Sequence, residues 1–145
     1  MADIKPDQVV SQFFKAFMQT QCHICWGMLS KKTQAVFLEK ALQGVYERNP
    51  DAAKAAKLGK AEIKLLFENN DTTLLKTFWK TFFNTSHAEH FFRFGYYKTI
   101  EEAGNKATVE VTFKYPDGRS AQVNLTMLKE MGMWKLAYVE SGLPV

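Results

Sequence analysis

Hydrophobic and polar residues alternate along the C-terminal third of the chain with the period of two that is typical of β-strands. Residues 106–115 show this alternation, and it resumes in residues 121–127 and 134–138. The apolar parity comprises Ala107, Val109, Val111, Phe113, Tyr115, Ala121, Val123, Leu125, Met127, Trp134, Leu136 and Tyr138. Pro116, Asp117 and Gly118 have the composition of a hairpin turn, and Gly132 marks a second turn. We therefore predict three antiparallel strands joined by tight turns.

A fourth strand is predicted ahead of these three. Residues 90–97 are dense in aromatic side chains, and residues 101–106 form a polar segment that contains a turn glycine. If Arg93 stays in water, the alternate residues of this strand face the interior: His90, Phe92, Phe94 and Tyr96. The outer face then carries Phe91, Arg93, Gly95 and Tyr97. Residues 87–140 are thus predicted to form a four-stranded meander.

The N-terminal half instead repeats apolar residues with the period of amphipathic helices. A long first helix is predicted over residues 6–29, and a second over residues 31–48 with Ser30 as its cap. Two short helices are predicted over residues 51–58 and 63–67. Asp71 is predicted to cap a further helix with a ring-rich apolar face: Leu74, Leu75, Phe78, Trp79, Phe82 and Phe83. The predicted fold is α+β, with N-terminal helices packed against a four-stranded antiparallel sheet.

Length and composition indicate a single domain over residues 1–145. The 12 Phe, 5 Tyr and 3 Trp residues indicate a core or a cavity wall built from aromatic rings. The net charge of +4, without a basic recognition motif, does not favour nucleic-acid binding. Because no apolar run is long enough for a membrane helix and no signal-peptide pattern opens the sequence, we expect a soluble cytoplasmic protein.

Cys22 and Cys25 are the first candidates for chemistry, because two cysteines at this spacing can bind metal or cycle between thiol and disulfide. A redox pair of this kind lies at a helix N-terminus, where the dipole lowers the thiol pKa, whereas these cysteines are predicted to lie well inside the first helix. A structural zinc site needs four ligands, and no second Cys or His pair is present. We predict structural cysteines and no metal, with a redox or metal role as the alternative.

Three other patterns have both a structural and a functional interpretation. His87, Glu89 and His90 are adjacent in sequence, but in a strand Glu89 and His90 point to opposite faces, which favours a surface role over a base with its carboxylate. The ring-rich helix face favours core over a cavity wall. Four lysines favour a solvated face over a phosphate site: Lys54, Lys57, Lys60 and Lys64. No glycine-rich phosphate loop or nucleophile elbow occurs, which disfavours nucleotide-dependent and hydrolase functions.

The order of helical stripes and then an aromatic meander, closing with Trp134, Leu136 and Tyr138, resembles the nuclear transport factor 2-like superfamily. The resemblance covers nearly the whole chain and rests on order and pattern rather than on a diagnostic motif. It implies a cone in which a strongly bent sheet wraps around the first helix, with a pocket at the open end and dimerisation through the outer face of the sheet. Superfamily members include ketosteroid-isomerase-like enzymes, dehydratases, transport adaptors and accessory binding proteins. A related cystatin-like sheet on one helix is the alternative.

The inward parity within this resemblance predicts an apolar pocket. Its predicted lining is Phe14, Phe17, Trp79, Phe92, Phe94, Tyr96, Val111, Phe113, Leu125, Trp134, Leu136 and Tyr138. Isomerase-like members need an acid or base beside a tyrosine, but Glu110, the acid in the central part of the strands, falls on the outer parity. We therefore expect a homodimeric, non-catalytic accessory domain that binds a hydrophobic small molecule or side chains of a partner protein.

The alternative is an isomerase- or dehydratase-like enzyme acting on a small hydrophobic substrate. His90 would then be the base, and Tyr96 or Tyr138 the hydrogen-bond donor. Neither hypothesis calls for a cofactor. The basic charge balance leaves a third hypothesis, an adaptor that binds a membrane surface or a nucleic acid in a salt-dependent way.

Overall fold

A computed structural model describes residues 4–145 as an α+β fold. In this range seven α-helices pack against an antiparallel sheet with the strand order β1-β2-β3-β4. The helices are α1 (Pro6–Met18), α2 (Cys22–Gly27), α3 (Lys31–Arg48), α4 (Pro50–Ala55), α5 (Lys60–Glu68), α6 (Lys76–Ser86) and α7 (Ala88–Phe94). The strands are β1 (Gly95–Ala103), β2 (Lys106–Lys114), β3 (Ser120–Glu130) and β4 (Met133–Ala137), followed by a 3-10 turn (Val139–Ser141). The predicted fold class is confirmed.

The last three strands follow the predicted alternation. Val109 lies opposite Leu125 in the β2–β3 ladder, so buried side chains from both strands share the inner face. Glu110 lies between buried neighbours and is therefore on the outer face, as predicted. In the β2–β3 hairpin, the Gly118 N–H donates to the Tyr115 carbonyl at 3.0 Å, and Gly118 has a φ of 89°. The predicted hairpin turn is thus confirmed.

Helix α1 lies against the concave face of the sheet and contacts β1, β2 and β4. The sheet is open but partly curled, so strands at both of its edges reach the same helix. The buried face of α1 carries Val10, Phe13, Phe14 and Phe17. These rings form the centre of the core, and α7 packs beside them.

The predicted first helix over residues 6–29 is wrong, because the chain breaks between α1 and α2. Thr20 adopts a φ of 60° in this break, and the residues around it are polar on every side, so no apolar stripe continues across them. The break reorients α2. Its Trp26 ring stacks on Phe67 with 4.3 Å between centroids, which a continuous helix would not allow.

A fourth strand precedes the other three as predicted, but it begins at Gly95, and the strand assignment of residues 90–94 is wrong because residues 88–94 form helix α7. Phe91 is buried and stacks on Phe14 with 4.4 Å between centroids. Glu89 and Arg93 form an i, i+4 ion pair at 3.1 Å, a spacing that only the helix brings together. Aromatic residues favour strands in general, but this tertiary packing overrides that preference.

Two further boundaries and one parity need correction. Residues 101–103 belong to β1 rather than to a turn, and the turn falls at Gly104 and Asn105. Tyr97, rather than Tyr96, faces the core, where its ring stacks parallel to Phe14 at 6.5 Å. Asp71 caps the turn that precedes α6, since its Oδ1 accepts from the backbone N–H groups of Thr73, Leu74 and Leu75.

In residues 4–145 no helix combines the length and apolarity needed to cross a membrane.

The N-terminus of α3, the longest helix described, is tied to the C-terminal part of the chain. Ser30 caps it as predicted, with Oγ accepting from the Thr33 N–H at 3.3 Å. Ser30 Oγ and Thr33 Oγ1 also donate to the Glu140 carboxylate at 2.9 and 3.0 Å. The Glu130 carboxylate accepts from the Lys31 N–H at 3.2 Å. Two carboxylates thus lie at the positive end of the α3 dipole.

Replacing Glu140 with alanine is expected to lower the free energy of unfolding by about 1–3 kcal/mol, because two charge-assisted hydrogen bonds and a favourable dipole interaction are lost. Urea denaturation of the two proteins measures the difference. Glu102→Ala, at an exposed position of β1, is the matched control and should change stability by less than about 0.5 kcal/mol. Equal losses in both variants would contradict the role of Glu140.

Candidate functional site

Most of the rings predicted to wall a pocket fill the interior between the sheet and the helices. Phe17 stacks on Phe82 with 5.4 Å between centroids and meets Trp79 edge-on at 5.6 Å. Nine of the predicted lining residues are buried in one core cluster: Phe14, Phe17, Trp79, Val111, Phe113, Leu125, Trp134, Leu136 and Tyr138. The space between α1 and the curled sheet is therefore occupied by the protein's own side chains.

Three predicted pocket residues lie away from this core. Phe92 and Tyr96 are 49% and 62% exposed, because the helix in residues 88–94 reverses the expected parity. The Tyr96 ring lies instead beneath the Lys114 ammonium, 5.3 Å from its centroid. Phe94 is half-buried and contacts His90 and Tyr115.

Two of the buried residues, Phe113 and Tyr138, also border an open cleft at one end of the sheet, here called the mouth cleft. Its volume is about 520 Å³, within the range of small-molecule sites. It lies where the β2–β3 hairpin meets the α6–α7 junction and the C-terminal segment. Its lining consists of Thr85, Ser86, His87, His90, Phe91, Phe113, Tyr115, Ala121, Val123, Tyr138, Leu143 and Pro144.

The junction between α6 and α7 places the two histidines at this cleft. His87 adopts a left-handed conformation with a φ of 54°, which ends α6 and redirects the chain into α7. Ala88 and Phe91 then face the core, so that His90 lies at the cleft. The His87 and His90 rings approach edge-to-face with 6.0 Å between centroids.

His90 and Tyr115 form a pair of polar side chains in the cleft. His90 Nδ1 lies 3.4 Å from the Tyr115 hydroxyl oxygen, a long hydrogen bond whose direction depends on the imidazole tautomer. The Arg119 guanidinium lies 5.3 Å from the centroid of the Tyr115 ring and covers it from the hairpin side. The pair offers a ligand one donor and one acceptor beside apolar walls.

Tyr138 is buried, and its hydroxyl donates to the Pro144 carbonyl at 3.0 Å. Burial raises the pKa of Tyr138 well above its ordinary value. Burial likewise raises the pKa of Tyr97 to about 12, and the Tyr97 hydroxyl donates to the Phe91 carbonyl. Both tyrosines are therefore neutral near pH 7, and both hydroxyl groups donate a hydrogen bond to a backbone carbonyl.

The enzyme hypothesis pairs His90 with either Tyr138 or Tyr96, and the structure brings only the first of these tyrosines to the cleft of His90. His90 and Tyr138 line the mouth cleft, but Tyr96 is exposed elsewhere. No Asp or Glu is present among the described lining residues of the cleft. The imidazoles of His87 and His90 are therefore the groups of the cleft with the chemistry of a general base.

Several lining residues were not among the predicted site residues. Tyr115 and Val123 belong to the inward parity of the strands, so the alternation carries the signal that marks them. His87, Leu143 and Pro144 carry no comparable local signal. They reach the cleft through the left-handed turn at His87 and the course of the C-terminal segment.

Cys22 and Cys25 lie in the short helix α2, which begins at Cys22, so the prediction that they lie well inside a long first helix is wrong. Their thiol pKa values are nevertheless raised, whereas the thiol pKa of a redox pair is lowered. Burial raises the pKa of Cys22 to about 11, and burial raises the pKa of Cys25 further. Cys25 Sγ donates to the Phe13 carbonyl at 3.4 Å. In residues 4–145, no three His, Cys, Asp or Glu side chains are grouped so that they could hold a metal ion.

Comparison with known proteins adds no relative to this picture. No protein-family model matches the sequence, and no curated protein matches it. The resemblance to the nuclear transport factor 2-like superfamily therefore stays a prediction from the pattern of elements.

The raised thiol pKa values predict that native Cys22 and Cys25 react with iodoacetamide more than about ten-fold more slowly at pH 7.5 than the same residues in urea, because the thiolate is the reacting form. The rate at Cys22 should rise as the pH approaches 11. Peptide mass spectrometry after timed labelling measures both rates. Rapid labelling of the native protein at pH 7.5 would contradict the assignment of structural cysteines.

Proposed function

We propose that this chain is a non-catalytic accessory domain of the nuclear transport factor 2-like type, with the mouth cleft as its binding site. The ligand is a small, largely apolar molecule that carries one hydrogen-bonding group. One observation carries the proposal: an open cleft of about 520 Å³ combines ring and aliphatic walls with a single polar corner at His90 and Tyr115. Sites for small organic molecules typically have this composition.

The packing of the interior supports this location. Buried rings occupy the space between α1 and the sheet, so a ligand has room at the open end of the sheet rather than beneath it. Half-buried Val123 and Leu143 offer apolar contacts there, with the edges of Phe91 and Phe113 behind them. Removing such surface from water contributes about 25 cal/mol per Å², which makes the apolar body of the ligand the main source of affinity.

The polar corner would orient the ligand. The imidazole of His90 and the hydroxyl of Tyr115 can each donate or accept, so a carbonyl or a hydroxyl group on the ligand can be matched. Ser86 and Thr85 add hydroxyl groups at the helix side of the cleft. A ligand without a polar group would leave the His90 and Tyr115 groups without a partner, which lowers its affinity.

A homodimer is part of the same proposal. The outer face of the sheet carries half-buried Thr108, Thr112 and Leu128 and exposed Tyr96. This surface is mixed rather than strongly charged, and it is suited to packing against a second copy. Native mass spectrometry reports the oligomeric mass directly.

The enzyme alternative rests on the same polar corner. An imidazole 3.4 Å from a tyrosine hydroxyl can accept a proton from a bound carbonyl compound while the hydroxyl donates to its oxygen. The absence of a carboxylate among the described lining residues and the bonded hydroxyl of Tyr138 favour the binding function over this alternative.

Filling the mouth cleft should abolish ligand binding. The probe is 2-naphthol, a planar apolar molecule with one hydroxyl group, followed by amide chemical-shift changes in the full chain. Val123→Trp places a large ring in the cleft and is expected to weaken binding more than ten-fold. Gln122→Trp, at the exposed neighbouring position of β3, is the matched control and should bind like the unaltered protein. Equal affinity in both variants would place the site elsewhere and overturn the proposal.

The enzyme alternative predicts turnover of a β,γ-unsaturated cyclic ketone, measured by the absorbance of the conjugated product. His90→Ala should then reduce kcat/KM by about 10²–10⁴-fold, because the proton acceptor is removed. His23→Ala, at an exposed position of α2, should leave the rate unchanged. If the protein does not accelerate the reaction, or if His90→Ala leaves the rate unchanged, the enzyme alternative is removed and the binding function remains.

A further inference from the structure

A second concavity lies at the opposite end of β3 from the mouth cleft and shares no residue with it. This concavity, here called the lysine groove, has a volume of about 280 Å³. It is lined by Ile4, Val9, Gln12, Gly27, Met28, Lys129, Gly132, Met133, Trp134 and Lys135. The mouth cleft adjoins the start of β3 at Val123, whereas the groove adjoins its end at Lys129, which places the two about 20 Å apart along the strand.

Segments from both ends of the chain build this groove. The β3–β4 turn has a left-handed Met131 with a φ of 52°, followed by Gly132 with a φ of 79°. Lys129 and Trp134 are directly paired across the ladder, so their side chains project on the same face. The chain after α2 runs beside β4, where the Leu136 N–H donates to the Met28 carbonyl at 2.7 Å. This pairing holds Met28 against the strand that carries Trp134.

The groove is apolar on its floor and positive at its rim. The ten lining residues include two lysines and no Asp or Glu. Within the described residues neither lysine forms an ion pair with a carboxylate. The Lys129 ammonium lies 5.7 Å from the centroid of the Trp134 ring, and the Lys135 ammonium donates to the Gly27 carbonyl. An ammonium has three donors, so both lysines retain hydrogen-bonding capacity for an anion.

The apolar part of the groove continues to an exposed surface. Ile4 and Met133 are 52% and 58% exposed, and both line the groove. Methionine side chains adapt their shape to different apolar partners, and the mostly buried Trp134 ring contributes a rigid edge to the floor. Two cations beside such a surface are complementary to a ligand with an apolar chain and one anionic end.

We propose that the lysine groove binds a free single-chain anionic amphiphile, such as a medium-chain alkyl carboxylate. The alkyl chain packs on Met28, Met133 and the accessible edge of Trp134. The carboxylate pairs with the Lys129 ammonium, and the Lys135 ammonium, held at the Gly27 carbonyl, adds positive charge at the rim. This site differs in chemistry from the mouth cleft, where imidazole and phenol groups replace the lysines. Its occupation does not depend on the function proposed for that cleft.

Titration of the full chain with decanoate, below its micelle concentration, tests the proposal by amide chemical shifts. Saturable 1:1 binding is expected, with the largest shifts at residues 27–28 and 129–135. Decan-1-ol has the same chain without the charge and should bind at least ten-fold more weakly. Equal affinity for the alcohol, shifts centred on His90 and Tyr115, or no binding would each overturn the proposal.

Paired variants test the two lysines. Lys129→Gln with Lys135→Gln should weaken decanoate binding at least ten-fold and leave the affinity for decan-1-ol unchanged. Lys106→Gln with Lys114→Gln removes the same charge from exposed positions of β2 and should leave decanoate binding nearly unchanged. Lys129→Glu with Lys135→Glu should reverse the preference towards decyltrimethylammonium. Equal effects of the two glutamine pairs would indicate net charge alone and overturn the assignment.

Two further measurements separate this site from other sources of an anionic chain. Val123→Trp should leave decanoate binding unchanged, so a failure of the mouth-cleft proposal and a failure of this one give different results. Sedimentation with phosphatidylglycerol vesicles and with phosphatidylcholine vesicles distinguishes a membrane surface from a free amphiphile. Binding to the anionic vesicles without binding to free decanoate would assign the groove to a membrane and overturn the proposal.

Discussion

Aromatic packing on α1 is the interaction on which the rest of this structure depends. The Phe14 ring stacks on Phe91 with 4.4 Å between centroids and an interplanar angle of 7°. The Phe14 ring is also parallel to the ring of Tyr97. One side chain thus joins the first helix, the last helix and the first strand. Phe17, one turn further, joins the same helix to α6. Because interiors are close-packed, this arrangement fixes how far the sheet can curl around α1.

The filled interior determines where ligands have room. The space that a cone-shaped fold would leave under its sheet is occupied by rings, so the two concavities that concern function lie at opposite ends of β3. Their chemistry differs because different segments close them. The α6–α7 junction brings histidines to the mouth cleft, whereas the β3–β4 turn brings lysines and methionines to the lysine groove. A single sheet thus presents one corner of imidazole and phenol groups and one cationic rim.

The charge distribution of the mouth cleft bears on the choice between binding and catalysis. Proton transfer from carbon needs a base of suitable pKa and a donor aimed at the developing oxyanion. Tyr138 is buried with its hydroxyl bonded to the Pro144 carbonyl, and Tyr96 is on another surface. His90 and Tyr115 alone remain as a polar pair. This pair suffices to orient a ligand, which is why the binding function is the simpler account of the cleft.

The sequence by itself determined the α+β class, strands β2, β3 and β4, their inward parity and the Ser30 cap of α3. Each of these depends on alternation, turn residues or capping within a few positions. The sequence did not determine α7, because aromatic residues suit both strand and helix over seven residues, and only the stacking of Phe91 on Phe14 selects the helix. It also missed the break after α1, where Trp26 turns to stack on Phe67. Tertiary structure alone decided that the predicted pocket rings fill the core, and which distant segments close the cleft and the groove, because side chains far apart in sequence compete for the same interior volume.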